Sequence, residues 1–127
     1  MKTQTEIKNL KEGKFVIIDG EPCRVTKIST SKPGKHGSAK VRLEAVGIID
    51  EKKREVVKPA STTVEVPIIE KKKAQVISIS GDSAQLMDLE DYSMFEASIP
   101  DDMKGNLTEG QEVMYWEVLG KRLLRSR

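Results

Sequence analysis

The sequence predicts an all-β chain arranged as two small barrels. Three observations predict it: apolar residues recur with period two in several short segments, turn signals separate those segments, and no segment carries a sustained helical period. At 127 residues the chain has room for one domain or two small ones, since length sets only a soft prior on domain count.

The elements follow in order. Phe15, Val16, Ile17 and Ile18 form a short apolar run that stops at Asp19-Gly20-Glu21-Pro22, and Cys23, Val25 and Ile28 then resume an extended pattern. An Asp-Gly between two such runs is a strong hairpin signal, because tight hairpin turns need residues that tolerate positive φ. A loop, SKPGKHGSAK at residues 31–40, comes next. After it Val41, Leu43 and Ala45 alternate with Lys40, Arg42 and Glu44, the signature of a strand with one buried face. The loop therefore joins two strands and projects from them. Residues 50–55 are wholly charged and read as a turn, and Thr62, Val64 and Val66 then alternate up to Pro67. Residues 70–73, EKKK, read as a polar link, which divides the chain into residues 1–69 and 70–127. In the second half Val76, Ile77 and Ile79 begin a strand, and residues 84–87 and 93–99 flank the DLEDY turn as a hairpin. Residues 100–110 are polar and loop-like, and residues 113–119 and 122–124 complete the set. The run at 113–119 is ambiguous between strand and helix by periodicity alone.

Composition narrows the function. Hydrophobic residues make up 37% and charged residues 33%, as in a soluble globular protein. No apolar run approaches the roughly 20 residues that span a bilayer, and the polar start lacks the apolar centre of a secretion signal. A cytoplasmic protein without a membrane partner is the simplest expectation. Cys23, the single cysteine, sits among strand-forming residues and reads as a small buried hydrophobe. Charge is unevenly spread: residues 1–69 hold fourteen Lys/Arg against nine Asp/Glu, and residues 70–127 hold eight against eleven. A basic first half suits an anionic partner, although an excess of this size also fits a solvated surface.

The residues speak against an enzyme. One histidine and one cysteine cannot make a Cys/His metal site, and the loop around His36 supplies no acid to orient it as a general base. The acidic pairs Glu90-Asp91 and Asp101-Asp102 sit in turns, where acids are commonplace. Gly34-Lys35 fails as a phosphate-binding loop: Ser29 stands where the motif needs its first glycine, His36 where it needs a hydroxyl, and a strand follows where it needs a helix. No catalytic residue, metal, cofactor or small-molecule substrate is expected.

What remains is the loop itself. Lys27, Lys32, Lys35, Lys40 and Arg42 cluster around it, and mobile cations of this kind make phosphate contacts. The five aromatic residues have mostly apolar neighbours and read as core, so backbone recognition fits better than base stacking. Pro33 fixes one torsion, Gly34 and Gly37 permit turns closed to other residues, and Lys35 and His36 stand between the glycines. Two readings fit these residues: a displayed cation, or a flexible turn with solubilising lysines.

STSKPGKHGSAK at residues 29–40 resembles the modification loop of the translation initiation factor 5A family, in its archaeal form, a relative of bacterial elongation factor P. The likeness extends to DGEPCRV, VEVPII and AQLMDLEDY and covers nearly the whole chain. It implies an SH3-like barrel followed by an oligonucleotide-binding (OB) barrel. It also implies that Lys35 is converted to deoxyhypusine or hypusine, deoxyhypusine synthase having transferred an aminobutyl group from spermidine. Lys32, Pro33, Gly34, His36, Gly37, Ala39 and Lys40 would then serve enzyme recognition and loop shape. The implied partners are the ribosome and P-site tRNA, and the implied action is relief of stalling during peptide-bond formation. Residues 82–117 hold ten acids and the single cation Lys104. Candidate RNA contacts are therefore Lys27 and Arg42 in the first half and Lys71, Lys72, Lys73, Lys121 and Arg122 at the edges of the second. The alternative is a general RNA-binding or ribosome-associated module that requires no modification.

Overall fold

The computed structural model describes residues 2–32 and 39–125, and eleven strands carry the fold within them. The chain divides into two compact units, Met1–Ile68 and Ile69–Arg127. The first holds β1 (Lys2–Glu6), β2 (Phe15–Ile18), β3 (Glu21–Ser31), β4 (Lys40–Gly47), β5 (Lys53–Pro59) and β6 (Thr63–Pro67), in one antiparallel sheet ordered β1-β6-β2-β3-β4-β5. The second holds β7 (Ile69–Ser80), β8 (Ser83–Asp88), β9 (Met94–Ser98), β10 (Glu112–Val118) and β11 (Lys121–Arg125), ordered β11-β10-β7-β8-β9. Its two edge strands, β9 and β11, come back together, and Arg122 Nη1 donates to Ser93 Oγ at 3.3 Å across that seam. The all-β, two-barrel expectation holds.

Alternation places the cores. In β4, Val41, Leu43 and Ala45 are buried and join Ile7, Leu10, Val16, Cys23 and Val25. In the second unit Ala74, Val76, Leu86, Val113, Tyr115 and Leu124 do the same work. Each buried Val or Leu contributes about 1.5–3 kcal/mol of hydrophobic stabilisation. Cys23 is fully buried as expected; burial raises its thiol pKa, although the neighbouring Arg54 guanidinium pulls the other way. The predicted Asp19-Gly20 turn has φ of 53° and 79°, positive at both positions as a two-residue type I′ hairpin requires, and it joins the paired residues Ile18 and Glu21. Leu119 and Gly120 (φ 48° and 78°) make a similar turn between β10 and β11.

Two expectations need correction, for the turn at residues 50–55 and the link at residues 70–73, and two further features went unread in the sequence. The polar start forms β1, which pairs with β6 along its whole length. Its backbone finds a partner without an apolar face, so alternation could not reveal it. The charged turn at residues 50–55 is shorter than read, since β5 begins at Lys53. Asp50 closes that turn by a two-pronged ion pair with Arg54, Oδ1–Nη1 at 3.1 Å and Oδ2–Nη2 at 2.7 Å. These bonds hold the Asp50 carboxyl down at about 2. Residues 70–73 are no link, because they open the twelve-residue β7 and leave Ile68 alone between β6 and β7. Cross-strand partners make the charges tolerable there: Lys72 Nζ lies 2.8 Å from Glu117 and Lys73 Nζ lies 3.6 Å from Glu112. Finally, Ile7–Asn9 and Asp101–Met103 each form a single 3-10 turn, too short to show a helical period. Among the described residues no helix is long and apolar enough to cross a membrane.

Candidate functional site: the β3–β4 hairpin and its collar

The hairpin that bears the loop is long for a physical reason. β3 runs eleven residues and β4 eight, and their pairing reaches outward through Ile28↔Leu43, Ser29↔Arg42 and Thr30↔Val41 to Ser31↔Lys40. Ser29, Thr30 and Ser31 are exposed, so the last three residues of β3 stand clear of the core, about 10 Å of strand. A bulge between Val25 and Lys27 resets the register below them. Thr26 Oγ1 donates to the Glu44 carbonyl across it at 3.1 Å.

A third strand stiffens the stem. β5 pairs with β4 up to Lys40↔Pro59, and the Ala60 amide donates to the Ala39 carbonyl at 2.8 Å. The returning end of the loop is thus held by backbone bonds on both sides of β4. Residues 33–38, with Pro33, Gly34, Lys35, His36 and Gly37, lie outside the described residues. Of the recognition residues read from the sequence, the structure places Lys32, Ala39 and Lys40 at the mouth of the loop, with both lysines exposed.

The electrostatics of the stem are graded along its length. Lys27 faces Glu44 directly across the strands, and Arg42 pairs with Glu55 at 3.0 Å, so the two predicted RNA contacts of the first unit stand beside acids. Nearer the loop the acids run out. Lys32, Lys40 and Lys58 have no carboxylate within ion-pair distance among the described residues. Sequence reasoning missed Lys58; its signal lay in the β5 register, which sets it opposite Val41 beside the loop mouth.

The candidates of the second unit do not form one cluster. Lys71, Lys73 and Lys121 share a face with Trp116, whereas Lys72 and Arg122 lie on the other side of the sheet. Lys72 is neutralised by Glu117 at 2.8 Å and Glu70 at 3.6 Å, and the Glu117 bond raises its pKa above the ordinary lysine value. Arg122 lies over the Phe95 ring, 4.7 Å from its centroid.

Structure and site together define a two-domain β protein whose first domain carries a long, backbone-braced hairpin stem. The comparisons carry this further. Residues 2–62 match the family model "Translation initiation factor 5A-like, N-terminal", and residues 68–125 match "Eukaryotic elongation factor 5A hypusine, DNA-binding OB fold". The chain is 58% identical over 124 residues to translation initiation factor 5A of Methanoregula boonei, covering 98% of this chain and 99% of that protein. It is likewise 58% identical over 123 residues to that of Methanothermobacter thermautotrophicus, covering 97% and 95%. A solved structure titled as eukaryotic translation initiation factor 5A from Methanococcus jannaschii superposes with a TM-score of 0.91 at 46% identity, over 98% of this chain and 93% of that one. The chain belongs to the translation initiation factor 5A family.

Proposed function

We propose that this chain is a non-enzymatic cytoplasmic translation factor that binds the ribosome beside P-site peptidyl-tRNA and acts through deoxyhypusine or hypusine at Lys35. The observation that carries this reading is the stem. A three-stranded, backbone-bonded support ends in a pair of exposed residues, Ser31 and Lys40, flanked by lysines that meet no carboxylate among the described residues, and the sequence between them carries Gly34-Lys35-His36-Gly37. A rigid support with a cationic mouth suits a side chain that must reach into a phosphate-rich cavity.

Deoxyhypusine synthase is the proposed modifying partner, and its product would lengthen the Lys35 arm and add a second cationic nitrogen. That arm would touch the acceptor end of peptidyl-tRNA and hold it in a reactive orientation. The ribosome performs the chemistry, while the factor lowers the entropic cost of alignment and so relieves stalling.

Lys35→Arg tests this, because arginine keeps the charge and removes the modifiable amine. Translation of a reporter with consecutive prolines, in cells carrying only the variant, should stall as it does without the factor. Normal read-through would sink the reading. Intact mass of protein purified from its own organism should show the aminobutyl increment on Lys35, and an unmodified chain there would favour the modification-independent RNA-binding module.

A further inference from the structure

The second unit poses an electrostatic problem. Residues 70–127 are net acidic, and OB barrels commonly bind oligonucleotides on the face of their second and third strands. In this barrel those strands are β8 and β9, and residues 83–98 contain no lysine or arginine at all. Glu90, Asp91 and Glu96 lie there exposed. Phosphate would be repelled from the usual face.

The register moves the cations elsewhere. Lys71 pairs with Trp116, Lys73 with Met114 and Lys121 with Val118, and Arg125 pairs with Met114 from the other side. Strand alternation therefore puts Lys71, Lys73, Lys121 and Arg125 on the outer face of β7, β10 and β11, opposite the core residues Ala74, Val113, Tyr115 and Leu124. Among the described residues of these three strands Glu112 is the one acid that the register puts on that face, where it pairs with Lys73 at 3.6 Å, and Asp102 joins Glu112 and Arg125 in lining a cavity at its edge. Lys71, Lys121 and Arg125 meet no carboxylate among the described residues.

Trp116 organises two of them. Lys71 Nζ lies 5.2 Å and the Arg125 guanidinium 4.7 Å from its ring centroid. Two like charges drawn to one indole repel each other, so the site gains from any anion placed between or above them. The ring itself is buried, 5% exposed, and offers no platform for a base. The strands bearing Lys71 and Arg125 are two apart, about 10 Å, and Lys121 lies about 13 Å along β11 from Arg125. That spread is too wide for one small anion and suits a repeating one.

We propose that the outer face of β7, β10 and β11 docks the phosphate backbone of single-stranded RNA without regard to sequence, through Lys71, Lys121 and Arg125. It rests on the reading above only in taking RNA as the polyanion. Arg125 supplies a planar donor fork to phosphate, and the lysines supply point charges.

The test uses the full chain made without the modifying enzyme, a labelled oligouridylate RNA, and binding isotherms at several salt concentrations. Each phosphate contact on a single strand adds roughly 0.7 to the slope of log affinity against log salt. The Lys71→Gln/Lys121→Gln/Arg125→Gln variant should lose about 2 from that slope and bind severalfold more weakly. RNA should also change the emission of Trp116, the only tryptophan. A wild-type slope in a variant that melts normally would overturn the proposal, as would binding of polyglutamate in place of RNA. If the triple variant melts early, Lys71→Gln/Lys121→Gln, with a slope about 1.4 lower, decides the matter in the same way. Because the chain carries no modification, failure here leaves the Lys35 reading standing, and normal read-through by Lys35→Arg would leave this one standing.

Discussion

Asp88 offers the sharpest test of how the second barrel is held. It is 2% exposed in the core of that unit, and it accepts hydrogen bonds from the Tyr115 hydroxyl and from the amides of Glu90 at 2.7 Å and Asp91 at 2.9 Å. The Tyr115 bond, reinforced by the two amides, holds its pKa at about 2 against desolvation, which pushes upward. An unfolded aspartate titrates near 3.9. The native state thus binds the proton more weakly than the unfolded one, and stability is present above the unfolded value and lost as pH falls toward the folded one. A difference of nearly two pKa steps corresponds to about 2.5 kcal/mol, present at pH 7 and mostly gone by about pH 2. Asp88→Asn removes the charge while leaving an oxygen to accept, and should cost about 2 kcal/mol at pH 7. Urea unfolding followed by Trp116 emission reports this unit directly. The gap between wild type and variant should close between about pH 5 and pH 2. A gap that stays constant across that range would refute the charge argument, and one below about 0.5 kcal/mol at pH 7 would refute the role of the carboxylate altogether.

Three further outcomes follow from local geometry. A Cβ on Gly47 would sit 1.9 Å from Asp50 Oδ1, so Gly47→Ala must expel the carboxylate that ties Arg54; unfolding should show a loss of roughly 1–3 kcal/mol, beyond what an exposed glycine change gives. Leu119 holds a φ of 48° that asparagine and glycine tolerate better, so Leu119→Asn should raise the denaturation midpoint by up to about 1 kcal/mol of stability. The Cys23 thiol, fully buried with its pKa raised, should resist alkylation at pH 8 in the native chain and react promptly in denaturant.

The alternation of Val41, Leu43 and Ala45 and the Asp19-Gly20 turn were legible from residues alone, because period and positive φ are local properties of the chain. The same residues showed that one lysine-bearing loop links two strands, and the family likeness picked Lys35 from its lysines. Other features had no local signature. β1 is polar on both faces and exists because β6 offers it a backbone partner. The charges of residues 70–73 read as a linker until Glu117, Glu112 and Trp116, about forty positions away, came opposite them. Asp88 looked like one more turn acid in DLEDY, yet Tyr115, 27 residues on, makes it the anchor of a core. Lys58 and Arg125 likewise acquire their settings from register, beside the loop mouth and over the indole. Local pattern decides which segments are strands and which turns are tight. Pairing between distant strands decides which charges are spent on each other and which remain for a partner, since Coulomb and hydrogen-bond energies depend on separation in space and are blind to separation along the chain.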